Sequence, residues 1–190
     1  MDVVTKEEFL HNKDLFIKKI EDGAIFIHPT DTIYGIGCDA TNSEAVKKVR
    51  EAKKREDVPF SVIVPSKKWI YDNCEVSSEA FKWIEKLPGP YTLILNLRNK
   101  QAIAKEVKPG VDTIGARIPD SWFAEFVSEL KVPVISTSAN FAGEEYMTSI
   151  EDLDDRIKPK LNFVIYEGEK TGHPSIIVKL YEEKIEIIKR

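Results

Sequence analysis

His28-Pro29-Thr30-Asp31-Thr32-Ile33-Tyr34-Gly35-Ile36-Gly37-Cys38-Asp39-Ala40 follows the apolar run Ala24-Ile25-Phe26-Ile27 and precedes a helix-like segment. A buried strand therefore empties into a polar turn that bears two glycines. Open α/β proteins place ligands at such strand ends. Pro29 at a strand edge and glycines in a tight turn also serve backbone geometry with no ligand at all. Taken alone, the loop divides evenly between a structural and a functional reading.

Upstream, Thr5 and Glu8 offer a capping box for a helix over 5–21, with Phe9, Leu10, Phe16, Ile17 and Ile20 at helical spacing and Gly23 as its stop;. Downstream, Thr41 and Glu44 offer a second box, with Asn42 as a competing cap, and Ala45, Val46, Val49 and Ala52 form an inward helical face;. Lys53-Lys54-Arg55 ends that helix, and Pro59 introduces the strand-like Phe60-Ser61-Val62-Ile63-Val64;. A short basic run at a helix end is ordinarily a solvated one.

Further on, helices are expected from Ser66, over 78–87 and over 121–130, and strands over 91–97, 112–120, 132–135 and 163–166;. A helix is also expected from Ser149 to about residue 157, with Asp152 as its acidic partner, and a terminal hairpin over 178–188. Arg117 lies within a strand pattern, where alternation could turn it to solvent while Ile114, Ala116 and Ile118 point inward. A buried arginine there requires a partner or an anion. The hydroxyls and amide of Ser136-Thr137-Ser138-Ala139-Asn140 suit local backbone capping as readily as a ligand.

The 190 residues fit one domain over 1–190 with a sizeable core, and hydrophobic residues make up 42%;. A net charge of −4, from 28 basic and 32 acidic residues, argues against nonspecific clamping of nucleic acid and leaves a local basic pocket open;. Cys38 and Cys74 are too few for a disulfide framework, and three histidines form no metal-ligand cluster;. No apolar run approaches the roughly 20 residues of a membrane span, and the acidic N-terminus is unlike a secretory leader. A cytoplasmic protein is expected.

Several of these segments together resemble one family in matching order. Pro29-Thr30-Asp31-Thr32-Ile33-Tyr34-Gly35-Ile36-Gly37, the Lys53-Lys54-Arg55 run, Gly89-Pro90-Tyr91-Thr92-Leu93, Thr113 through Arg117-Ile118-Pro119, and Ser138-Ala139-Asn140 look like the signature elements of the YrdC family. The resemblance covers nearly the whole chain. It departs from the family's pattern at Glu56-Asp57-Val58-Pro59, which is about one residue short and lacks a lysine near Val58, and at Ile176, where a threonine is usual after Ser175.

What the resemblance implies is an α/β fold: a twisted mixed or mostly parallel open sheet with flanking helices around a concave basic cavity, in the short form without an extra C-terminal domain. The implied activity is L-threonylcarbamoyladenylate synthesis for tRNA modification. ATP, L-threonine and bicarbonate or carbon dioxide would give threonylcarbamoyl adenylate and pyrophosphate, with magnesium accompanying ATP and no protein metal site. Thr30, Thr32, Tyr34, Thr92 and Ser175 would bind substrate; Lys53, Arg55 and Arg117 would be catalytic; and these three with Ser138 and Asn140 would hold the nucleotide. A downstream tRNA threonylcarbamoyl transferase is the implied partner, with weak RNA contact a further expectation. The competing reading is a non-catalytic nucleotide-binding or double-stranded RNA-binding module.

Overall fold

The chain opens with a short strand, β1 (Asp2–Val4), that its sequence does not announce. Thr5 and Glu8 form the expected capping box, but the helix expected over 5–21 divides at Asn12 into α1 (Lys6–His11) and α2 (Lys13–Glu21). The Asn12 side-chain amide donates to the Glu8 carbonyl at 2.9 Å, an alternative to the helical ladder that marks the break;. Across the bend Phe9 and Phe16 stack with ring centroids 4.7 Å apart, whereas Leu10 stays exposed. The structure is a computed structural model that describes residues 1–141, 143–182 and 184–189.

β2 (Phe26–His28) runs into the 29–34 turn and returns as an antiparallel strand, β3 (Gly35–Gly37). Phe26 pairs with Gly37 and His28 with Gly35. A Cβ on Gly35 would lie 2.9 Å from the His28 ring, and one on Gly37 would lie 3.0 Å from the Phe26 ring. The two glycines are therefore strand residues whose missing side chains let aromatic rings lie across the ladder. The strand end opens a hairpin rather than feeding a helix directly.

Asn42 caps α3 (Ser43–Lys53) by accepting from Ala45 N at 3.1 Å, while Thr41 is engaged by Asp39. There follow β4 (Ser61–Ile63), α4 (Lys67–Asn73) capped by Ser66, α5 (Ser78–Ile84) capped by Ser77, β5 (Tyr91–Asn96), β6 (Thr113–Arg117) and α6 (Trp122–Leu130). The remaining strands are β7 (Val134–Ile135), β8 (Thr137–Ser138), β9 (Phe163–Ile165), β10 (Ile176–Lys179) and β11 (Glu186–Ile188). β10 and β11 pair antiparallel, as expected of the terminal hairpin. The helix expected to follow Ser149 does not form. Its cap is present, but Asp152 accepts from Thr148 N, Thr148 Oγ1 and Ser149 N, and Leu153 turns extended after a single 3-10 turn.

The strands form an α/β structure with two mixed sheets and flanking helices. One sheet has the order β1-β9-β2-β3-β8 and the other β11-β10-β5-β6-β4-β7. One segment joins them: β7 pairs with β4, and two residues later β8 pairs with β3. Phe9, Phe16, Phe26, Phe123, Phe126 and Phe163 share one buried cluster that packs α1, α2 and α6 against the first sheet. Each such ring contributes roughly 2–3 kcal/mol by leaving water. A second core gathers α3, α4 and α5 with apolar residues from both sheets. Among the described residues no helix is long and apolar enough to cross a membrane.

Candidate functional site

Where the two sheets adjoin, a cavity of about 110 Å³ draws its walls from both. Thr30, Thr32, Ile33, Tyr34 and Gly35 come from the β2–β3 hairpin; Arg55, Pro59 and Ser61 from the approach to β4; Thr92 from β5; and Arg117 from the end of β6. Ser136, Thr137, Ser138, Tyr146, Pro174 and Ser175 complete the lining. Its charges are two arginines, and none of these lining residues is acidic.

The hairpin turn is built by its own hydroxyls. Thr30 Oγ1 donates to the Ile33 carbonyl at 2.7 Å and accepts from Thr32 N and Ile33 N at 3.1 and 3.2 Å. The Thr30 and Thr32 hydroxyl oxygens lie 2.9 Å apart, within hydrogen-bond distance;. The Thr32 oxygen then faces Arg117 Nη2 at 3.4 Å. Thr30 thus shapes the turn, and Thr32 connects it to the arginine.

Arg117 is buried at 5% exposure. β6 is covered on both faces, so Ile114, Ala116 and Arg117 are all buried and the solvent-facing alternative for the arginine does not hold. Its Nη2 donates to Asp31 Oδ1 at 2.8 Å, and Asp31 Oδ2 accepts from Asp120 N at 3.1 Å. Arg55 lines the cavity, with its guanidinium on the Phe60 ring and Nη2 donating to the Pro59 carbonyl at 3.2 Å. The 55–58 turn, including the shortened stretch at Val58, is organised by Arg50. Arg50 Nη1 donates to the carbonyls of Arg55, Glu56 and Val58, while Nε donates to Glu106 O. In sequence Arg50 resembles any solvated helix cation, and nothing marks this role.

Lys53 and Asn140 stand behind the cavity wall. Lys53 is 1% exposed, and its ammonium donates to the carbonyls of Ser138 and Asn140 and to Asn140 Oδ1. Asn140 Oδ1 also accepts from Ser138 Oγ, and its Nδ2 donates to Glu144 O at 2.6 Å. Burial, with Arg55's charge adding to it, draws the Lys53 pKa down to about 7;. Of this group only Ser138 lines the cavity. In this structure the Lys53 ammonium and the Asn140 side chain are hydrogen-bonded within the loop that presents Ser138. Lys54 lies over Phe141, away from the lining.

Tyr34 reaches the cavity, but its hydroxyl is directed elsewhere. It donates to Gly168 O at 2.6 Å and accepts from Glu167 N at 3.1 Å, and burial raises its pKa to about 12. Thr92 Oγ1 and Ser175 Oγ, both buried, lie 2.7 Å apart. Ser61, Tyr146 and Pro174 were not singled out from sequence, where strand and turn propensities account for each; Ser136 and Thr137 belong to the hydroxyl run that suits capping as readily as a ligand.

His28 is wholly buried, stacked on Phe123 at 4.6 Å, and desolvation lowers its pKa to about 4, so it is neutral at physiological pH. Cys38 and Cys74 are buried free thiols, each with its pKa raised by desolvation, which disfavours nucleophilic thiolate;.

The Sua5/YciO/YrdC family model, described as "Telomere recombination", matches residues 18–190. A Methanocaldococcus jannaschii protein provisionally named threonylcarbamoyl-AMP synthase is 40% identical over 181 residues, which cover 90% of this chain and 81% of that protein. Human threonylcarbamoyl-AMP synthase is 30% identical over 155 residues, covering 80% of this chain and 54% of its own. In three dimensions the chain is similar to P. abyssi Sua5 complexed with L-threonine, with a TM-score of 0.88 and 27% identity over 99% of this chain and 56% of that one. The chain therefore spans about half the length of the human and P. abyssi proteins.

Proposed function

This chain belongs to the Sua5/YciO/YrdC family, and we propose that it joins L-threonine, bicarbonate or carbon dioxide, and ATP into threonylcarbamoyl adenylate, releasing pyrophosphate. The observation that carries the reading is the cavity itself, where hydroxyls of Thr30, Thr32, Thr92, Ser138 and Ser175 cluster with the guanidinium groups of Arg55 and Arg117, the latter held in place by Asp31. The likeness to a Sua5 complexed with L-threonine supports the same assignment.

In this reading the threonine amine adds to the carbon of carbon dioxide and loses a proton, giving a carbamate. A carbamate oxygen then attacks the α-phosphorus of ATP in line, forming the acyl phosphate bond as the bond to pyrophosphate breaks. Thr32, Thr92 and Ser175 line the amino-acid end, with Thr30 fixing the turn. Arg117 and Arg55 offset the charge of carboxylate and phosphates, and Ser138 lines the phosphate end;. Lys53 and Asn140 act through the Ser138 loop. Catalysis then comes from alignment and electrostatics rather than from a protein nucleophile. The lining offers no carboxylate ligand, so magnesium would arrive with the nucleotide's own phosphates;.

The product would pass, in the cytoplasm, to a tRNA threonylcarbamoyl transferase. Purified protein should release pyrophosphate from ATP only when both threonine and bicarbonate are present. Release that ignores threonine would overturn the reading.

A further inference from the structure

The 167–174 segment leaves β9 in one sheet and enters β10 in the other, ending on the cavity residues Pro174 and Ser175. Its first half is tied at several points. Tyr34 Oη holds both Glu167 N and Gly168 O, and the Tyr34 ring lies 5.7 Å from Tyr166 in a stacked arrangement. Glu167 Oε2 accepts from the Trp122 indole at 2.7 Å, Glu167 Oε1 pairs with Lys170, and Lys170 N donates to Thr148 O at 2.9 Å.

Past these ties the segment meets the hairpin turn. A Cβ on Gly172 would lie 2.3 Å from the Thr32 carbonyl oxygen and 3.0 Å from its carbon. Both are backbone atoms of a turn already fixed by Thr30, so neither gives way cheaply. Gly172 is required here for close approach, and the approach brings the strap down on the same Thr32 that faces Arg117;.

We propose that Tyr34 is a positioning residue whose hydroxyl pins the 167–174 strap against Thr32, and that this strap, packed on the Thr32 backbone at Gly172 and ending on the lining residues Pro174 and Ser175, sets the size limit of the amino-acid pocket. The inference rests on the proposed function for the identity of the amino acid. Tyr34 does not hydrogen-bond the substrate in this account. It acts by holding Ser175 at its 2.7 Å contact with Thr92 and Gly172 at the turn. A high pKa keeps its hydroxyl protonated, so the Gly168 bond persists through the neutral range.

The test uses the full chain in Tyr34→Phe, which keeps the ring and removes only the oxygen, and in Gly172→Ala, which lifts the strap from the other side. Two quantities are read: amide hydrogen exchange over 167–172 without ligand, and equilibrium binding of L-threonine and of ATP separately. Both variants should exchange faster in the strap, bind threonine about tenfold more weakly, and hold ATP within about twofold of the parent. Their discrimination against bulkier amino acids should narrow. A purely structural role would weaken both ligands together. Unchanged exchange and unchanged threonine affinity would overturn the inference. A parent protein that binds ATP and no threonine would sink the proposed function instead, and the exchange measurement would still decide whether Tyr34 holds the strap.

Discussion

Arg117, at the end of a strand in one sheet, and Asp31, in a hairpin turn of the other, form an ion pair of 2.8 Å with both side chains almost wholly buried. The pair locks the turn to the strand, and the bond from Asp120 N to the second carboxylate oxygen adds the following turn to the same unit. Asp31 thereby orients the arginine of the cavity. Removing one partner strands the other's charge in a desolvated place, the expensive way to break a buried pair.

Arg117→Ala is accordingly expected to lower nucleotide binding and turnover by at least about tenfold. Asp31→Asn should cost about 1–3 kcal/mol in urea unfolding and misplace the arginine without removing it. The double variant should be less impaired than the sum of the two singles. Additive effects in a double-mutant cycle would mean that the pair is not a functional unit.

Lys53→Met would leave the carbonyls of Ser138 and Asn140 and the Asn140 side-chain oxygen without their shared donor. The expected result is a loss of about 1–3 kcal/mol in stability together with a large fall in kcat/KM for ATP, because the Ser138 loop is no longer fixed. Stability loss with unchanged kinetics would confine Lys53 to the core.

His28 supplies a pH dependence that is separate from the chemistry. Its pKa is about 4 in the fold against 6.5 in the unfolded chain, so the unfolded state takes up the proton first;. Its contribution is complete above pH 6.5 and is lost progressively as pH falls towards 4, amounting to about 2 kcal/mol between pH 7 and pH 5. His28→Phe should flatten that part of the stability profile in urea titrations at the two pH values. An unchanged slope would assign the acid sensitivity to other groups.

Much of the cavity lining was legible because its residues lie in short stretches of fixed order. Thr30, Thr32, Arg55, Thr92, Arg117, Ser138 and Ser175 all reach one cavity, although some 145 positions separate the first from the last (roughly the span of a whole domain);. Spacing could not reveal which polar atoms are spent on backbone. Lys53, Asn140 and Tyr34 carry the expected chemistry, yet each points its donors or acceptors at a loop. The division into two sheets was hidden for a related reason. Gly35 and Gly37 read as turn residues, and only cross-strand rings on Phe26 and His28 make them a strand. The helix missing after Ser149 reflects a carboxylate that satisfies its turn so fully that no further turns follow.

The most direct measurement is the identity of the product. Protein incubated with ATP, L-threonine and carbon-13 bicarbonate, and analysed by mass spectrometry, should yield threonylcarbamoyl adenylate carrying one heavy carbon, formed in step with pyrophosphate and absent when threonine is withheld. Folded protein that binds both ATP and threonine yet forms no labelled adenylate would contradict the account.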